Sequence, residues 1–237
     1  RIPVPVSLNA SVHADDDFSK SKEIAELTDW NIYSPLWAPV SLDGQWLKLQ
    51  DKDPFDYAKV ERKIPASKEL KVSFDLQAGQ NDKGTLQIEF LDENGIACSR
   101  MELTDDGVFR LKGGSRFANM MKYEAGKVYH VEAVLSTADR NIQVYVDGRR
   151  VGLRMFYAPV AAVERIVFRT GIPRTFPTVD TPADQTYDLP DAGAQDPLAE
   201  YGIANVKTSS TDKDASSVFL KYADFSHYAD YFNGMED

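Results

Sequence analysis

At 237 residues the chain can bury roughly 70% of the surface its unfolded form would expose, room for one large β domain or two small ones. With 43% hydrophobic and 27% charged residues it has the makeup of a folded globular protein, and no apolar run approaches the ~20 residues of a membrane span. Its 27 Lys and Arg against 37 Asp and Glu leave a net charge of -10, which repels a phosphate backbone and removes nucleic acid from the expected partners.

One cysteine, Cys98, cannot form an intramolecular disulfide or a Cys-rich zinc site, so any metal must be held by carboxylates or His. The first residue is Arg1, with neither an initiator Met nor a signal peptide, and the chain is therefore expected to be a piece of something longer. Residues 1–40 read as a connector. They carry Pro3, Pro5, Pro35 and Pro39, the triplet Asp15, Asp16 and Asp17, and one helical pattern from Ser21 to Leu27. There Ser19 or Ser21 can cap, and Ile24 and Leu27 share a face. Trp30 and Trp37 lie in this stretch and Trp46 just beyond it. Packing of the first two against a neighbouring surface is favoured over stacking on sugar rings, which indoles can also do.

From Trp46 onward the hydrophobic period becomes two. Leu70, Val72, Phe74 and Leu76 alternate with Lys71, Ser73 and Asp75, and Leu86, Ile88 and Phe90 with Gln87 and Glu89. Tyr129, Val131, Ala133 and Leu135 do the same, as do Ile142, Val144 and Val146, then Val151, Leu153 and Met155. Such runs are strands with one apolar face. Asp43-Gly44, Asn94-Gly95, Asp106-Gly107 and Asp147-Gly148 supply the positive φ of tight turns between them, and Gly113-Gly114 reads as another hairpin turn rather than a phosphate loop. The hairpin from Asn141 to Met155 is the firmest local expectation.

Residues 172–200 hold Pro173, Pro177, Pro182, Pro190 and Pro197 and read as a long irregular loop. A strand is expected at Ile203 to Thr208, then a helix on the spacing of Val218, Tyr222, Phe225, Tyr228 and Phe232. About a dozen strands with one apolar face each need a second sheet to cover them. The expected fold is all-β: a two-sheet antiparallel sandwich over 41–237, with short helices confined to the connector and the C-terminus.

Retaining glycosidases need two carboxylates about 5 Å apart, and the strand carrying Glu89 lacks the alternating partner such a pair requires. A lyase needs an acid and a base, commonly His and Tyr, with Arg or Gln to neutralise the substrate carboxylate. Gln87, His130, Tyr145 and Arg154 all fall on the polar side of their strands and would form such a cleft if those strands were neighbours. A plain solvated sheet face would display the same residue types. For a bound uronate or sulfate, Arg154 and Arg169 offer the bidentate guanidinium. Ser115 has no acid–His partner. Asp51, Asp53 and Asp56, or Asp15 to Asp17, could supply oxygens to a structural Ca²⁺, although the EF-hand spacing is missing. No other cofactor is expected.

Four segments, taken together, resemble a known module: Trp30 to Pro39, Asp53 to Arg62, Gly84 to Phe90, and Val144 to Gly148 with Phe168 to Gly171. It is the concanavalin A-like (laminin G-like) jelly roll that follows a BNR-repeat, sialidase-like β-propeller in exported polysaccharide-degrading enzymes of gut Bacteroidetes. The likeness spans Trp30 to Asp237. The resemblance implies a jelly-roll sandwich acting as a non-catalytic accessory domain, either binding glycan or bracing the enzyme. It also implies a polysaccharide partner, expected to be acidic, a catalytic propeller upstream that holds the catalytic residues, and a periplasmic or cell-surface location. The substrate-binding candidates are then Gln87, His130, Tyr145, Arg154 and Arg169, and none is catalytic. The alternative is a jelly-roll lyase or hydrolase in its own right.

Overall fold

A computed structural model describes residues 12–171 and 195–212. Among these, fifteen strands follow one another: β1 (Asp15–Asp16), β2 (Trp30–Tyr33), β3 (Val40–Asp43), β4 (Trp46–Asp51), β5 (Lys59–Ser67), β6 (Glu69–Ala78), β7 (Leu86–Leu91), β8 (Ala97–Leu103), β9 (Val108–Gly113), β10 (Arg116–Lys122), β11 (Val128–Ser136), β12 (Asn141–Val146), β13 (Arg149–Met155), β14 (Val163–Thr170) and β15 (Ala199–Ser210). The expected C-terminal helix and most of the Pro-rich loop lie outside the described residues.

The strands form two antiparallel sheets. One runs β13-β12-β11-β6-β15-β4-β3, with β1 added to β15 to make eight strands; the other is the seven-stranded β10-β9-β8-β7-β14-β5-β2. Period-two alternation places Leu70, Val72, Phe74 and Leu76 of β6 inward against Leu86, Ile88 and Phe90 of β7, all nearly or wholly inaccessible. The rings of Phe74 and Phe168 meet edge to face at 5.1 Å and tie the sheets together. This is the expected jelly-roll sandwich. The hairpin of β12 and β13 turns at Asp147 and Gly148, both at positive φ (50° and 81°), as a two-residue loop with matching twist requires.

The stretch expected to be a connector is, from Asp15 on, part of the sandwich. β1 pairs with β15 and β2 with β5, and Trp30 is buried between Phe18 and Phe168. Two features hold it there. The Trp30 indole donates to Asp16 (3.0 Å), and Asp16 also accepts from the buried Arg62 on the inner face of β5 (2.8 Å). Four residues of β2 and two of β1 are too few for a visible alternation, so only these side-chain partners, distant in sequence, mark them as sheet. The helical pattern at Ser21 to Leu27 closes only as a 3-10 turn, Ile24–Glu26.

Gly84 shows how tightly the sandwich end is built. It has φ +72°, and a Cβ there would lie 2.4 Å from the Ala199 Cβ and 2.8 Å from the Tyr201 hydroxyl. Any side chain would push β15 away from the loop before β7.

Candidate functional site

Registration across the seven-stranded sheet sets its outward side chains in rows. Tyr33 stands opposite Lys59, Lys59 opposite Arg169, Arg169 opposite Gln87, Gln87 opposite Glu102, Glu102 opposite Arg110 and Arg110 opposite Asn119. The next row carries Asn31, Glu61, Val167, Glu89 and Arg100. Arg165 opposes Lys63 beyond it.

Each glutamate on this face is matched to an arginine: Arg110 to Glu102 at 2.6 Å, Arg165 to Glu61 at 3.2 Å and Arg100 to Glu89 at 3.3 Å. Arg110 and Arg100 stand directly across from their glutamates, and Arg165 reaches Glu61 diagonally, so neighbouring cross-strand positions carry opposite charge. Lys59, Lys63 and Lys112 on the same face enter no ion pair among the described residues, so the face is net positive on a chain whose total is -10. Three of the cations on this face lie over flat rings. The Arg169 guanidinium sits 4.0 Å over Tyr57, Arg110 4.1 Å over Phe117 and Lys112 4.4 Å over Tyr157.

Several polar groups here retain unused capacity. Gln87 is buried and donates to Glu102 at 3.2 Å, but its Oε1 has no partner among the described residues; nor do Nε of Arg100, Arg110 and Arg165 or the hydroxyl of Tyr157. Burial pushes the Tyr157 hydroxyl up to about 12, so it stays a donor at neutral pH. Such a face can hold an oxyanion and a ring plane at once. Its carboxylates are committed to ion pairs and are not disposed for acid–base chemistry.

At the end of the sandwich, where β4, β14 and β15 meet the loop before β7, a cavity of about 360 Å³ opens beside Arg169. Its walls include Asp51, Phe55, Tyr57, Lys83, Asp105 and Asp196. Burial raises Asp51 above its ordinary value of 3.8; hydrogen bonds from Thr170 and the Asp53 amide oppose this, and the negative charges of Asp53 and Asp196 add to it. A carboxyl raised on folding stabilises the fold fully below its unfolded value and loses that contribution as pH climbs through the folded one. Ionised Asp51 is therefore a cost at neutral pH. Asp51→Asn keeps an oxygen for the Asp53 amide and is expected to raise Tm at pH 7, with the gain fading below about pH 4. Thermal melts of both proteins across that range check it, and a variant that melts lower at pH 7 would reverse the sign.

The five residues singled out from sequence do not share one cleft. Gln87 and Arg169 are cross-strand neighbours in the row above. His130 and Tyr145 lie on the outer face of the other sheet, where the His130 ring nitrogen is 2.8 Å from Asp75 and the Tyr145 hydroxyl donates to Gln143 at 3.0 Å. Arg154 sits at the sandwich edge on β13, its side chain packed where a Cβ on Gly113 would be. The lyase-like cleft is thus not assembled, because β7 belongs to one sheet and β11 and β12 to the other. Alternation tells which side of a strand is polar, not which sheet the strand joins. Sequence reasoning also missed Arg100, Arg110 and Lys112. The readable signal was their alternation with Met101, Phe109 and Leu111, opposite in charge to Glu89 and Glu102.

The aspartates considered for Ca²⁺ are occupied locally. Asp51 accepts from the Asp53 amide, Asp53 from the Phe55 and Asp56 amides, and Asp56 from Tyr57 and the Tyr33 hydroxyl. Asp16 is paired with Arg62, and Asp17 caps a 3-10 turn through Ser19, which lowers its pKa. Among the described residues no three His, Cys, Asp or Glu side chains group to hold a metal ion. No helix among them is long and apolar enough to cross a membrane.

With this geometry in hand, a family model described as sialidase-like, CBM domain, matches residues 30–185. A solved sialidase is 87% identical, with a TM-score of 0.85, over 100% of this chain and 22% of its own. The chain thus spans less than a quarter of that sialidase. An apo Crh5 transglycosylase (TM-score 0.60, 11% identity, 86% of each chain) and the carbohydrate recognition domain of Emp47p (TM-score 0.55, 9% identity, 85% of this chain and 98% of that one) share the fold. One of these is an enzyme and the other a recognition domain, so architecture alone does not decide between catalysis and binding. No curated protein matches the chain.

Proposed function

This chain belongs to the sialidase-like carbohydrate-binding-module family, and from that premise we propose that it is a non-catalytic accessory module that holds an anionic glycan on the outer face of its seven-stranded sheet. The observation that carries the reading is the excess of cations on that face, with Arg169, Arg110 and Lys112 each over an aromatic ring, on an otherwise acidic chain. A sugar carboxylate or sulfate would take the charge-assisted hydrogen bonds of Arg169 while its ring packs on Tyr57, or those of Lys112 beside Tyr157 three strands away. The catalytic domain of the longer enzyme, a β-propeller on this reading, would lie upstream and act on an acidic polysaccharide outside the cytoplasm or in the periplasm. The module would keep that domain near its substrate by raising the effective concentration of glycan.

Titration of the purified chain with neutral, uronate-, sialate- and sulfate-bearing oligosaccharides tests the face. Binding of anionic members should weaken with salt. It should weaken about tenfold in Lys112→Ala or Arg169→Ala, the loss of one charge-assisted contact. Arg154→Ala, at the far edge, should leave it unchanged. Anionic binding indifferent to salt and to both face variants would refute the site.

A further inference from the structure

We propose that the cavity at the sandwich end is a second subsite, one that takes an uncharged, hydroxyl-rich sugar ring. The proposal rests on the glycan-binding reading above but not on the anionic preference of the sheet face. The cavity has the size of a small-ligand pocket, at the lower end of the usual ~300–1,000 Å³. One wall is the phenyl ring of Phe55, 57% exposed, a costly group to leave in water unless something covers it. Its position is fixed by the turn beneath it, in which the Asp53 carboxylate accepts from the amides of Phe55 (2.9 Å) and Asp56 (3.0 Å). Tyr57 stands next to it, braced by the Tyr33 ring at 5.3 Å. A ring so held presents a flat apolar platform to the C–H face of a pyranose.

Across the cavity Asp105, Asp196 and Lys83 form no ion pair and no side-chain hydrogen bond among the described residues. Carboxylate oxygens accept, and sugar hydroxyls donate; adjacent hydroxyls on one ring fit the two oxygens of one carboxylate. The charge balance excludes an anion. Five aspartates line the cavity against Lys83 and Arg169, the reverse of the sheet face next door. Arg169 belongs to both surfaces, as a member of the cationic row and as a wall of the cavity. The ligand class that fits the pair is a mixed glycan in which an anionic residue adjoins a neutral one.

Isothermal titration of the whole chain with neutral tetrasaccharides from galactan, mannan and xylan, and with their uronate-bearing counterparts, tests this. At least one neutral probe should bind with an affinity that salt leaves unchanged. Phe55→Ala should weaken it about tenfold, near the upper end of what one aromatic contact supplies, while Phe55→Tyr keeps it. Asp105→Asn should weaken it too, and Lys112→Ala on the sheet face should not. Because Phe55 and Asp105 are exposed, these variants are expected to fold, and circular dichroism checks that they do. The proposal is overturned if no neutral probe binds at millimolar concentration or if Phe55→Ala binds as the parent does. The two readings fail separately, since salt and Lys112→Ala act on anionic probes alone and Phe55→Ala acts on neutral ones.

Discussion

Asp16→Ala is expected to destabilise the domain by about 3 to 5 kcal/mol, as removal of one member of a buried ion pair does. Arg62 is 3% exposed and stands on the inner face of β5 between Val60 and Ile64. Its Nε donates to Asp16 at 2.8 Å and one terminal nitrogen reaches the same carboxylate at 3.4 Å. The other donates to the carbonyl of Lys63 at 2.7 Å. Without Asp16 the guanidinium keeps that carbonyl and the more distant, largely exposed Asp29 at 3.8 Å, which water screens. The Trp30 indole loses its acceptor in the same step, so two buried donors are orphaned by one substitution. The β1 strand, only two residues long, then has little to hold it on β15. Urea denaturation measures the effect. Asp16→Ala combined with Arg62→Met should recover most of the loss, since an apolar side chain of similar length has no charge left to satisfy. A single variant within about 1 kcal/mol of the parent would mean that Asp29 swings in and substitutes fully.

That latch also marks the limit of what could be read from sequence. The hairpin from Asn141 to Met155, the β6 and β7 alternation and the final strand were legible because each is long enough for its period to repeat, with Asp147-Gly148 marking the hairpin turn and Asn94-Gly95 the end of β7. β1 and β2 were not, since a two- or four-residue strand carries no period and Trp30 reads equally as an interface residue. Membership of a sheet is a long-range property. The charge pairs that reveal it, Asp16 with Arg62 and Glu102 with Arg110, join residues whose relation appears only once the strands are registered. The candidate site was legible to the same degree. Gln87, polar on an apolar-faced strand, and Arg169, a candidate guanidinium for an oxyanion, prove to be neighbours. His130, Tyr145 and Arg154, polar on their strands like Gln87, lie instead on the opposite sheet and at the edge. The Asx turn that presents Phe55 was read as a cluster of possible metal oxygens, because aspartates that cap their own backbone and aspartates that bind a cation look alike in sequence.

The other large effect is expected at Phe74, where truncation to Ala should destabilise by about 3 to 5 kcal/mol. The side chain is 0% exposed, paired across β6 and β11 with Val131 and crossing the sandwich to meet Phe168 at a centroid distance of 5.1 Å and an angle of 89°. Truncation therefore removes the transfer free energy of a phenyl group and leaves a void. It also deletes an edge-to-face contact worth about 0.5 to 1.5 kcal/mol beyond burial. Neither sheet can move in to fill the space without breaking its ladder on both sides of the strand. Equilibrium urea unfolding at constant m checks the figure. Phe55→Ala serves as the internal control, because an exposed phenyl lost from a turn should change stability by less than about 0.5 kcal/mol. The pair of substitutions also separates folding from binding. Phe168 points inward to Phe74 while the next residue, Arg169, points outward into the binding row, so the void lies directly beneath that row. If the ladder rather than the core fixes Arg169, Phe74→Ala will unfold at lower urea yet bind anionic oligosaccharide with unchanged affinity below its transition. Phe55→Ala will show the opposite, losing the neutral probe while unfolding where the parent does. A Phe74→Ala protein less than about 1 kcal/mol weaker than the parent would mean that the two sheets relax toward each other and that the inner face has been assigned wrongly.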